Sequence, residues 1–215
     1  MNDKVKLVWA TPDGDGLVAY MARVSNPENQ NNPDSSKLIR YCIKHQHWSI
    51  FEMVSMCVEV NTTRDIGRQI LRHRSFSFQE FSGRYQSFDK LPPVELRQCR
   101  MQDAKNRQNS LEDAPEGVAR WWDETQQGVH SVACVAYRQA LEVGIAKEQA
   151  RALLPEGLTP SRMYVSGTLR SWIHYIDLRT DAATQKEHRQ IAEACKVLVA
   201  EQFPAVAAAA WGEAT

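Results

Sequence analysis

The chain has 215 residues, of which 43% are hydrophobic and 24% charged, so it can bury a core without disulfides or structural metals. Lysine plus arginine equals aspartate plus glutamate at 26 each, and this zero net charge argues against a protein that coats nucleic acid. Five scattered cysteines without a CxxC pair argue against a disulfide framework, and no run of about 18 apolar residues could span a membrane. These features, with no signal peptide, predict a single-domain cytoplasmic protein over residues 1–215.

The amino-terminal part of the chain predicts one short strand followed by two helices. Val5, Leu7 and Trp9 alternate with Lys4, Lys6 and Val8, which suggests a short half-buried strand, and the proline- and glycine-containing stretch 12–16 ends it. A short helix is predicted over 17–24. Ser35 or Ser36 is expected to cap the amphipathic helix that follows.

A second strand and a third helix are predicted between residues 54 and 71. Apolar residues alternate with other residues over 54–60, which indicates a strand with one buried face. The polar stretch 61–63 is expected to cap the helix that follows. Ile66, Ile70 and Leu71 are expected to form its buried side.

The middle of the chain predicts a surface segment and one long helix. Residues 75–89 are polar and aromatic and show no clean period. The strongly charged stretch 98–117 predicts a surface excursion or a mobile lid, because few of its groups could be buried favourably. A helical period returns over 118–143, with Val129 and Val132 among the residues of its apolar face.

Three further helices are predicted in the carboxyl-terminal part of the chain. They cover 146–155, then 169–180, and then a last helix opened by a capping box of Thr184 and Glu187. Strands come early in the chain and helices dominate later. This order favours an α+β fold, a small antiparallel sheet packed with several long helices in a single domain, over a wound parallel sheet.

The richest cluster of reactive side chains lies at residues 72–85, with the sequence RHRSFSFQEFSGRY. It contains three arginines, a histidine, a glutamate and several hydroxyls. The planar fork of arginine suits phosphate oxygens, and serine, glycine and backbone NH groups add short-range donors. The cluster predicts a site for a nucleotide or a dinucleotide cofactor. The alternative is a solvated basic helix end with salt bridges to Glu80 or Asp89.

The spacing of this cluster, RHR followed by seven residues and then Ser, resembles the signature of the flavin-dependent thymidylate synthases. The stretch HQHWSIFE looks like the flavin-contacting segment of that family, and Gln69 stands three residues before the RHR. Ala150-Arg151 before Leu154-Pro155, and the helix SGTLRSWIHYIDLRTD, are similar to family elements in the expected order. The resemblance covers about residues 20–203 and is weakest after Pro93.

This resemblance implies an FAD cofactor, a dUMP substrate and a set of site residues. The residues implied near FAD are His47, Ser49, Glu52, Arg72, His73, Arg74, Glu80, Thr168, Arg170 and His174. The residues implied around dUMP are Gln69, Arg72, Glu80, Phe81, Ser82, Gly83, Arg84, Arg151 and Arg179. Arg179 is implied to be catalytic, because it would lie against the uracil imide and favour its ionised form. The family also implies a homotetramer with active sites between subunits.

Three positions depart from the commonest family pattern. Gln79 replaces the usual Asn before the motif glutamate, Met53 stands where His is frequent, and Thr168 stands where Asn often contacts the flavin. These changes affect individual hydrogen bonds to the flavin. They leave the framework of arginines and the glutamate intact.

The expected reaction is the reductive methylation of dUMP to dTMP. It needs a one-carbon unit, which methylenetetrahydrofolate would supply, and a hydride, which no amino-acid side chain can give. NADPH would therefore reduce the flavin. The conventional thymidylate synthases attack uracil with a cysteine that follows proline, and no cysteine of this chain follows a proline. The sequence thus predicts no cysteine nucleophile.

Other interpretations of these residues remain open. A nucleic-acid-binding protein could use Arg64, Arg68 and Arg72, which recur every four residues, and a hydrolase could use His73 and Glu80 as acid and base. A noncatalytic flavoprotein is the third alternative. Ser82 could be a nucleophile, but a binding role is preferred because the sequence places no activating base beside it.

No metal site is predicted. His45 and His47 form an HxH pair, but residues two apart on a helix point to different faces, so they are not expected to share a metal ion.

Overall fold

The structure is a computed structural model that describes residues 4–212. Within that range the strands are β1 Val5–Ala10, β2 Ser55–Thr63, β3 Ser77–Glu80, β4 Met101–Gln102, β5 Ser110–Leu111 and β6 Pro160–Thr168. The helices are α1 Gly14–Ala22, α2 Ser36–Lys44, α3 Arg64–Ile70, α4 Glu116–Glu142, α5 Lys147–Ala150, α6 Leu169–Arg179, α7 Lys186–Gln202 and α8 Pro204–Trp211. A 3-10 turn covers Trp48–Glu52.

A four-stranded antiparallel sheet with the order β1-β2-β6-β3 lies at the centre of the fold. β2 and β6 pair along their whole length, from Ser55 opposite Thr168 to Thr63 opposite Pro160. With helices packed against this sheet, the predicted α+β class with a small antiparallel sheet is confirmed.

The sequence interpretation missed β3 and β6, which join the predicted site to the sheet. β6 does alternate, with Ser161, Met163 and Val165 buried, but its serines, proline and glycine obscure the pattern. Its proline stands at the first strand position, where a missing NH group is tolerated. Gly167 is required because a Cβ atom there would clash with the ring of Phe76.

The main core lies between the sheet and helices α2, α6, α7 and α8. Its largest fully buried side chains include Trp172, Phe51 and Phe203, and burying each of them stabilises the fold by about 1.5–3 kcal/mol. The indole NH of Trp172 donates to the backbone oxygen of Met56 at 3.0 Å, so the ring is buried without an unpaired donor. This bond ties α6 to β2, the strand beside β6.

The long helix α4 confirms the predicted helix but not its predicted buried face. Its buried residues are Gln126, Ala133, Tyr137 and Ala140, of which Tyr137 and Ala140 pack with Phe88, Leu91 and Ala150 in a second, smaller cluster. By contrast, Trp121 is 61% exposed, Val129 49% and Val132 71%. Trp121, Val129 and Val132 do recur at helical spacing, but they lie on a side of α4 that faces away from this chain's own core.

Several element boundaries differ from the sequence prediction. The polar stretch 61–63 belongs to β2, and Thr63 flanks α3 without a side-chain cap. Leu71 follows α3 and is exposed. α1 begins at Gly14, inside the predicted turn.

The predicted capping box of Thr184 and Glu187 is wrong. α7 begins at Lys186, its N-cap residue is Gln185, and the Thr184 hydroxyl donates to the backbone oxygen of Leu178. The Glu187 carboxylate instead receives hydrogen bonds from Arg100 at 2.7 and 2.9 Å. A further helix, α8, was also not predicted.

The charged segment 98–117 forms a surface hairpin of β4 and β5. Ion pairs from Arg100 to Glu187 and from Lys186 to Glu112 attach it to α7. Within residues 4–212, no helix combines the length and the apolar character needed to cross a membrane.

Candidate active site

His73 and Arg179 form the centre of the candidate site. Arg179 is the last residue of α6, and its Nε donates to Nε2 of His73 at 2.9 Å. Burial, together with the charges of Arg179 and Arg72, lowers the pKa of His73 from 6.5 to about 4. The imidazole is therefore neutral near pH 7 and can accept this bond. Within residues 4–212 neither Nη atom of Arg179 has a protein partner, so its fork can still bind a ligand.

A chain of hydrogen bonds lies behind this pair. The Gln69 amide donates through Nε2 to Oε1 of Gln185 at 2.8 Å, and its Oε1 lies 3.2 Å from Nδ1 of His188. The other nitrogen of His188 lies 3.1 Å from the hydroxyl of Tyr175. Tyr175 also contacts the His73 ring edge-on, with ring centroids 4.9 Å apart. Gln69, alone among these relay residues, was predicted to be a site residue.

The two inner residues of this chain of hydrogen bonds, His188 and Tyr175, are buried and uncharged. His188 is fully buried, and burial with the Arg179 charge lowers its pKa to about 3. Burial also raises the pKa of Tyr175 well above its usual value. His188 occupies a core position of α7, with Ile191 and Cys195 buried three and seven residues further on. An ionisable residue in such an apolar stripe is the sequence signal that could have identified it.

Glu80 ends β3 and is held by residues that the sequence interpretation did not name. Its Oε1 accepts a hydrogen bond from the Ser161 hydroxyl at 2.6 Å, and Arg64 lies 3.8 Å from the same oxygen. Both partners are half-buried or buried, so the carboxylate has a defined place beside α3 and β6.

The segment after Glu80 brings Ser82, Gly83 and Arg84 towards α5. Arg84 lies 3.7 Å from the Glu148 carboxylate, and Arg151 donates to the Glu148 backbone oxygen at 3.3 Å, so the two predicted arginines share one neighbour. Gly83 is buried, and a Cβ atom there would clash with the Phe88 ring.

Two predicted residues of this segment have clear local contacts. Phe81 packs on the Phe88 ring, with centroids 5.7 Å apart, so its side chain belongs to the smaller apolar cluster. The Ser82 hydroxyl accepts only a long bond from the Arg84 backbone NH, and no described histidine or carboxylate hydrogen-bonds to it.

The predicted flavin-side residues gather at the start of α6 and at the 48–52 turn. Arg170 forms an ion pair with Glu52, and the His174 ring lies 4.7 Å from the Trp48 ring. The Thr168 hydroxyl caps α6 by accepting from the backbone NH of Ser171 at 3.3 Å.

The remaining flavin-side residues are exposed. They are His47, Ser49, Arg72 and Arg74. Among the described residues, the side chains of Arg72 and Arg74 have no hydrogen-bond or ion-pair partner, so their charges remain available for an anionic ligand. The structure thus leaves two exposed cations next to the Arg179–His73 pair.

The predicted site residues form separate groups. Within residues 4–212, no hydrogen bond or ion pair joins the Glu52–Arg170 group to the group of Arg84, Glu148 and Arg151. A cavity of about 600 Å³ lies elsewhere, between the 91–98 segment, the sheet and α7, and none of the predicted site residues lines it. Ser161 and Glu187 line it, but none of the arginines predicted for the site does, so the chemistry of these arginines, and not this cavity, marks the candidate site.

Burial disfavours the thiolate form of four of the five cysteines. Cys42, Cys57 and Cys195 are buried. Burial raises the pKa of all three thiols, that of Cys195 to about 12. Burial also raises the pKa of Cys134, despite the opposing charge of Arg138.

The fold and the site define a class of protein: an α+β protein whose exposed arginines, backed by neutral histidines, suit a phosphorylated ligand. The family model described as thymidylate synthase complementing protein matches residues 6–205, and the chain belongs to that family. The resemblance drawn from the RHR motif is thereby confirmed.

Known relatives agree with this assignment. The protein of Paramecium bursaria Chlorella virus 1 named "Probable flavin-dependent thymidylate synthase" is 54% identical, over 90% of this chain and 88% of its own length. The flavin-dependent thymidylate synthase of a Synechocystis species is 53% identical, over 91% of this chain and 88% of its own length. Among solved structures, the UMP/dUMP methylase PolB from Streptomyces cacaoi, bound with 5-Br dUMP, superposes with a TM-score of 0.83 at 27% identity, covering 95% of this chain and 93% of that chain.

Proposed function

We propose that this chain is a flavin-dependent thymidylate synthase that converts dUMP to dTMP by reductive methylation. FAD is the proposed cofactor, methylenetetrahydrofolate the carbon donor and NADPH the reductant. The observation that carries the proposal is the Arg179–His73 pair, which holds a cationic fork ready for a ligand in a chain of this family.

The residues present suit a flavin dinucleotide. Arg72 and Arg74 are exposed cations without protein partners in the described range, and two guanidinium forks can bind the oxygens of a diphosphate. The Trp48 and His174 rings offer aromatic surface beside Arg170. When bound, the flavin supplies the hydride chemistry that side chains lack. The other proposed contacts are His47, Ser49, Glu52, His73, Glu80 and Thr168.

The proposed dUMP site combines phosphate binding with stabilisation of the base. Arg84 and Arg151 meet at Glu148, so their charges and the Ser82 hydroxyl suit a phosphate. Arg179 is proposed to lie against the uracil imide and to stabilise the negative charge that develops there. The other proposed contacts are Gln69, Arg72, Glu80, Phe81 and Gly83.

The neutral state of His73 supports the role of Arg179. A protonated imidazole could not accept the bond from Nε and would repel the guanidinium. Because the pKa of His73 lies near 4, the histidine orients Arg179 at neutral pH and leaves its charge directed at the ligand. The raised pKa values of the buried cysteines support a route without a thiolate.

We also propose a homotetramer with active sites between subunits. The separation of the two site groups within one chain supports this assembly, because a second copy could bring complementary groups together. The exposed apolar face of α4, with Trp121, Val129 and Val132, supports it too, since such faces mark protein interfaces.

The contacts of the arginines weigh against the alternative functions. Arg64 lies near Glu80 and Arg68 pairs with Glu156, so the arginines at every fourth position do not form one free track for a nucleic-acid backbone. His73 and Glu80 hydrogen-bond to different partners, which gives no support to an acid–base pair for hydrolysis. A noncatalytic flavoprotein would bind FAD and leave dUMP unchanged.

The test is NADPH oxidation by the purified protein with FAD, measured with and without dUMP and methylenetetrahydrofolate. We expect oxidation that increases with dUMP, and dTMP formation that requires the folate. A folded protein that neither binds FAD nor oxidises NADPH would overturn the proposal. Turnover of dUMP without reductant would favour the hydrolase instead.

A further inference from the structure

The relay behind the site has a direction that its chemistry fixes. At its outer end, Gln185 donates through Nε2 to a Glu187 carboxylate oxygen at 3.0 Å. Burial opposes the charge of Glu187, but hydrogen bonds from Arg100 and the charge of Arg97 hold its pKa below the usual value. Glu187 is therefore ionised near neutral pH, and an ionised carboxylate can only accept hydrogen bonds.

This carboxylate determines each bond that follows. The Gln185 amide must turn its NH2 group to Glu187, so its oxygen faces Gln69. The Gln69 amide must then turn its own NH2 group to Gln185, and its oxygen faces His188. An oxygen at that place requires a hydrogen on Nδ1 of His188.

The buried end of the relay agrees with this direction. With the hydrogen on Nδ1, Nε2 of neutral His188 accepts, and the Tyr175 hydroxyl donates to it. In the opposite direction, the hydroxyl would accept from His188, and its own hydrogen would have no partner among the described residues. An unpaired buried donor is costly, so both ends of the relay favour the same arrangement.

We propose that His188 is a positioning residue for dUMP: it holds the Gln69 amide in one orientation, so that the same donor and acceptor always face the nucleotide. This role rests on the proposed function, in which Gln69 contacts dUMP. Each Gln69 atom keeps one site for the ligand, because Nε2 has a second hydrogen and Oε1 a second lone pair. If the amide turned over, donor and acceptor would exchange places, and the nucleotide would meet mismatched groups.

Three substitutions at His188 separate positioning from packing. His188→Asn places an amide nitrogen near the position of Nδ1 and can still donate to Gln69. His188→Gln reaches towards Tyr175 instead, and His188→Leu retains neither bond. In the FAD-loaded full chain, we expect the KM for dUMP to rise about five- to tenfold in the Leu and Gln variants, the effect of one lost hydrogen bond, with a smaller change in kcat. The Asn variant should stay within about twofold of the parent.

Two controls show whether His188 acts through Gln69. Val199→Ala creates a cavity in the same helix, away from the relay, and should lower the melting temperature without changing the KM. Once Gln69→Ala has removed the amide, adding His188→Leu should not raise the KM further. A KM that follows the melting temperature in every variant, or additive effects in the double variant, would overturn the role.

The tautomer of His188 is a second readout on the unmodified protein. With 15N-labelled histidine, the His188 signal, assigned by its loss in His188→Asn, should show the hydrogen on Nδ1; a hydrogen on Nε2 would overturn the relay direction. Calorimetric measurement of dUMP binding to the parent distinguishes a failure of the proposed function from a failure of the positioning role. If the parent does not bind dUMP, the proposed function fails and this role fails with it. If it binds dUMP but the His188 variants match it, only the positioning role fails.

Discussion

At the scale of single residues, two histidines have environments that depart strongly from solution. Burial and the charge of Arg179 lower the pKa of His73 to about 4 and that of His188 to about 3. Both imidazoles are thus hydrogen-bonding groups without charge at neutral pH. One orients the guanidinium of Arg179, and the other orients the amide of Gln69.

These two histidines should make the folded state sensitive to acid. Unfolded, both take up protons near pH 6.5; folded, they do so only near pH 4 and 3, so stability is lost as pH falls from 6.5 towards these values. Over this range each histidine can lower the free energy of unfolding by up to about 1.4 kcal/mol per pH unit, and half-exposed His73 lowers it by less. We expect calorimetric melting temperatures to fall from pH 7 to pH 5, and to fall less steeply in His188→Asn. Parallel curves for parent and variant would contradict this origin.

The proposed role of Arg179 makes a direct prediction. Replacing it by alanine should lower kcat by about 100- to 1000-fold, because a group that stabilises developing charge is lost, while FAD remains bound. Flavin absorbance and dTMP formation measure the two effects separately. Arg189→Ala, which removes an arginine of α7 outside the proposed site, is the matched control and should keep its turnover. Unchanged turnover in Arg179→Ala would refute the role.

At the scale of elements, the unpredicted strand β6 depends on one glycine. Gly167 stands where the Phe76 ring covers the strand, and that ring in turn contacts Trp172 at 4.6 Å between centroids. Gly167→Ala should therefore destabilise the protein by about 1–3 kcal/mol through overpacking.

Urea unfolding measures this change. The matched control is Gly117→Ala, since a Cβ atom at Gly117 would meet nothing within 4 Å, and its effect should stay within about 0.5 kcal/mol. If both variants unfold at the same urea concentration as the parent, the Phe76 ring does not pack closely on β6 at Gly167, and the prediction fails.

The sequence predicted the elements whose apolar period is long and undisturbed. β2, α4 and α6 are of this kind, since their side chains repeat over many residues. It failed where a few residues carry the pattern, as in β3, or where small and polar residues interrupt it, as in β6. In α4 the helical spacing of the apolar residues was predicted correctly, but their burial was not. Spacing alone does not show whether an apolar helix face packs against this chain's own core.

The candidate site shows a similar division. The motif and its resemblance predicted Arg72, His73 and Arg179 as site residues by type and spacing. They did not identify Tyr175 or His188, because packing brings the partners together: these two residues lie on different helices, and Gln69 precedes His188 by 119 residues. The prediction for Glu187 failed for a related reason. The capping box considers only neighbouring residues, whereas the Glu187 carboxylate forms ion pairs with Arg97 and Arg100, which are distant in sequence.

At the scale of the whole molecule, we propose that residues 1–215 form one domain that works only in an assembly. If α4 forms an interface, Val132→Glu should place a charge in it, break the tetramer and abolish most turnover. Light scattering should show the mass of four 24.5 kDa chains for the parent and a smaller mass for the variant.

Val24→Glu is the matched control for this prediction. Val24 is a similarly exposed apolar residue outside α4, and the same charge there should leave mass and turnover unchanged. A Val132→Glu protein with the parent mass would exclude this face of α4 from the interface.

The burial of the cysteines has a consequence for the conditions under which such a molecule can work. Cys42, Cys57 and Cys195 lie inside the core, where oxidants reach thiols poorly and the thiolate needed for oxidation is disfavoured. A synthase that attacks its substrate with sulfur loses activity when that sulfur is oxidised. The proposed site of arginines, histidines and a bound flavin has no such target, so the proposed chemistry does not depend on the cell keeping thiols reduced.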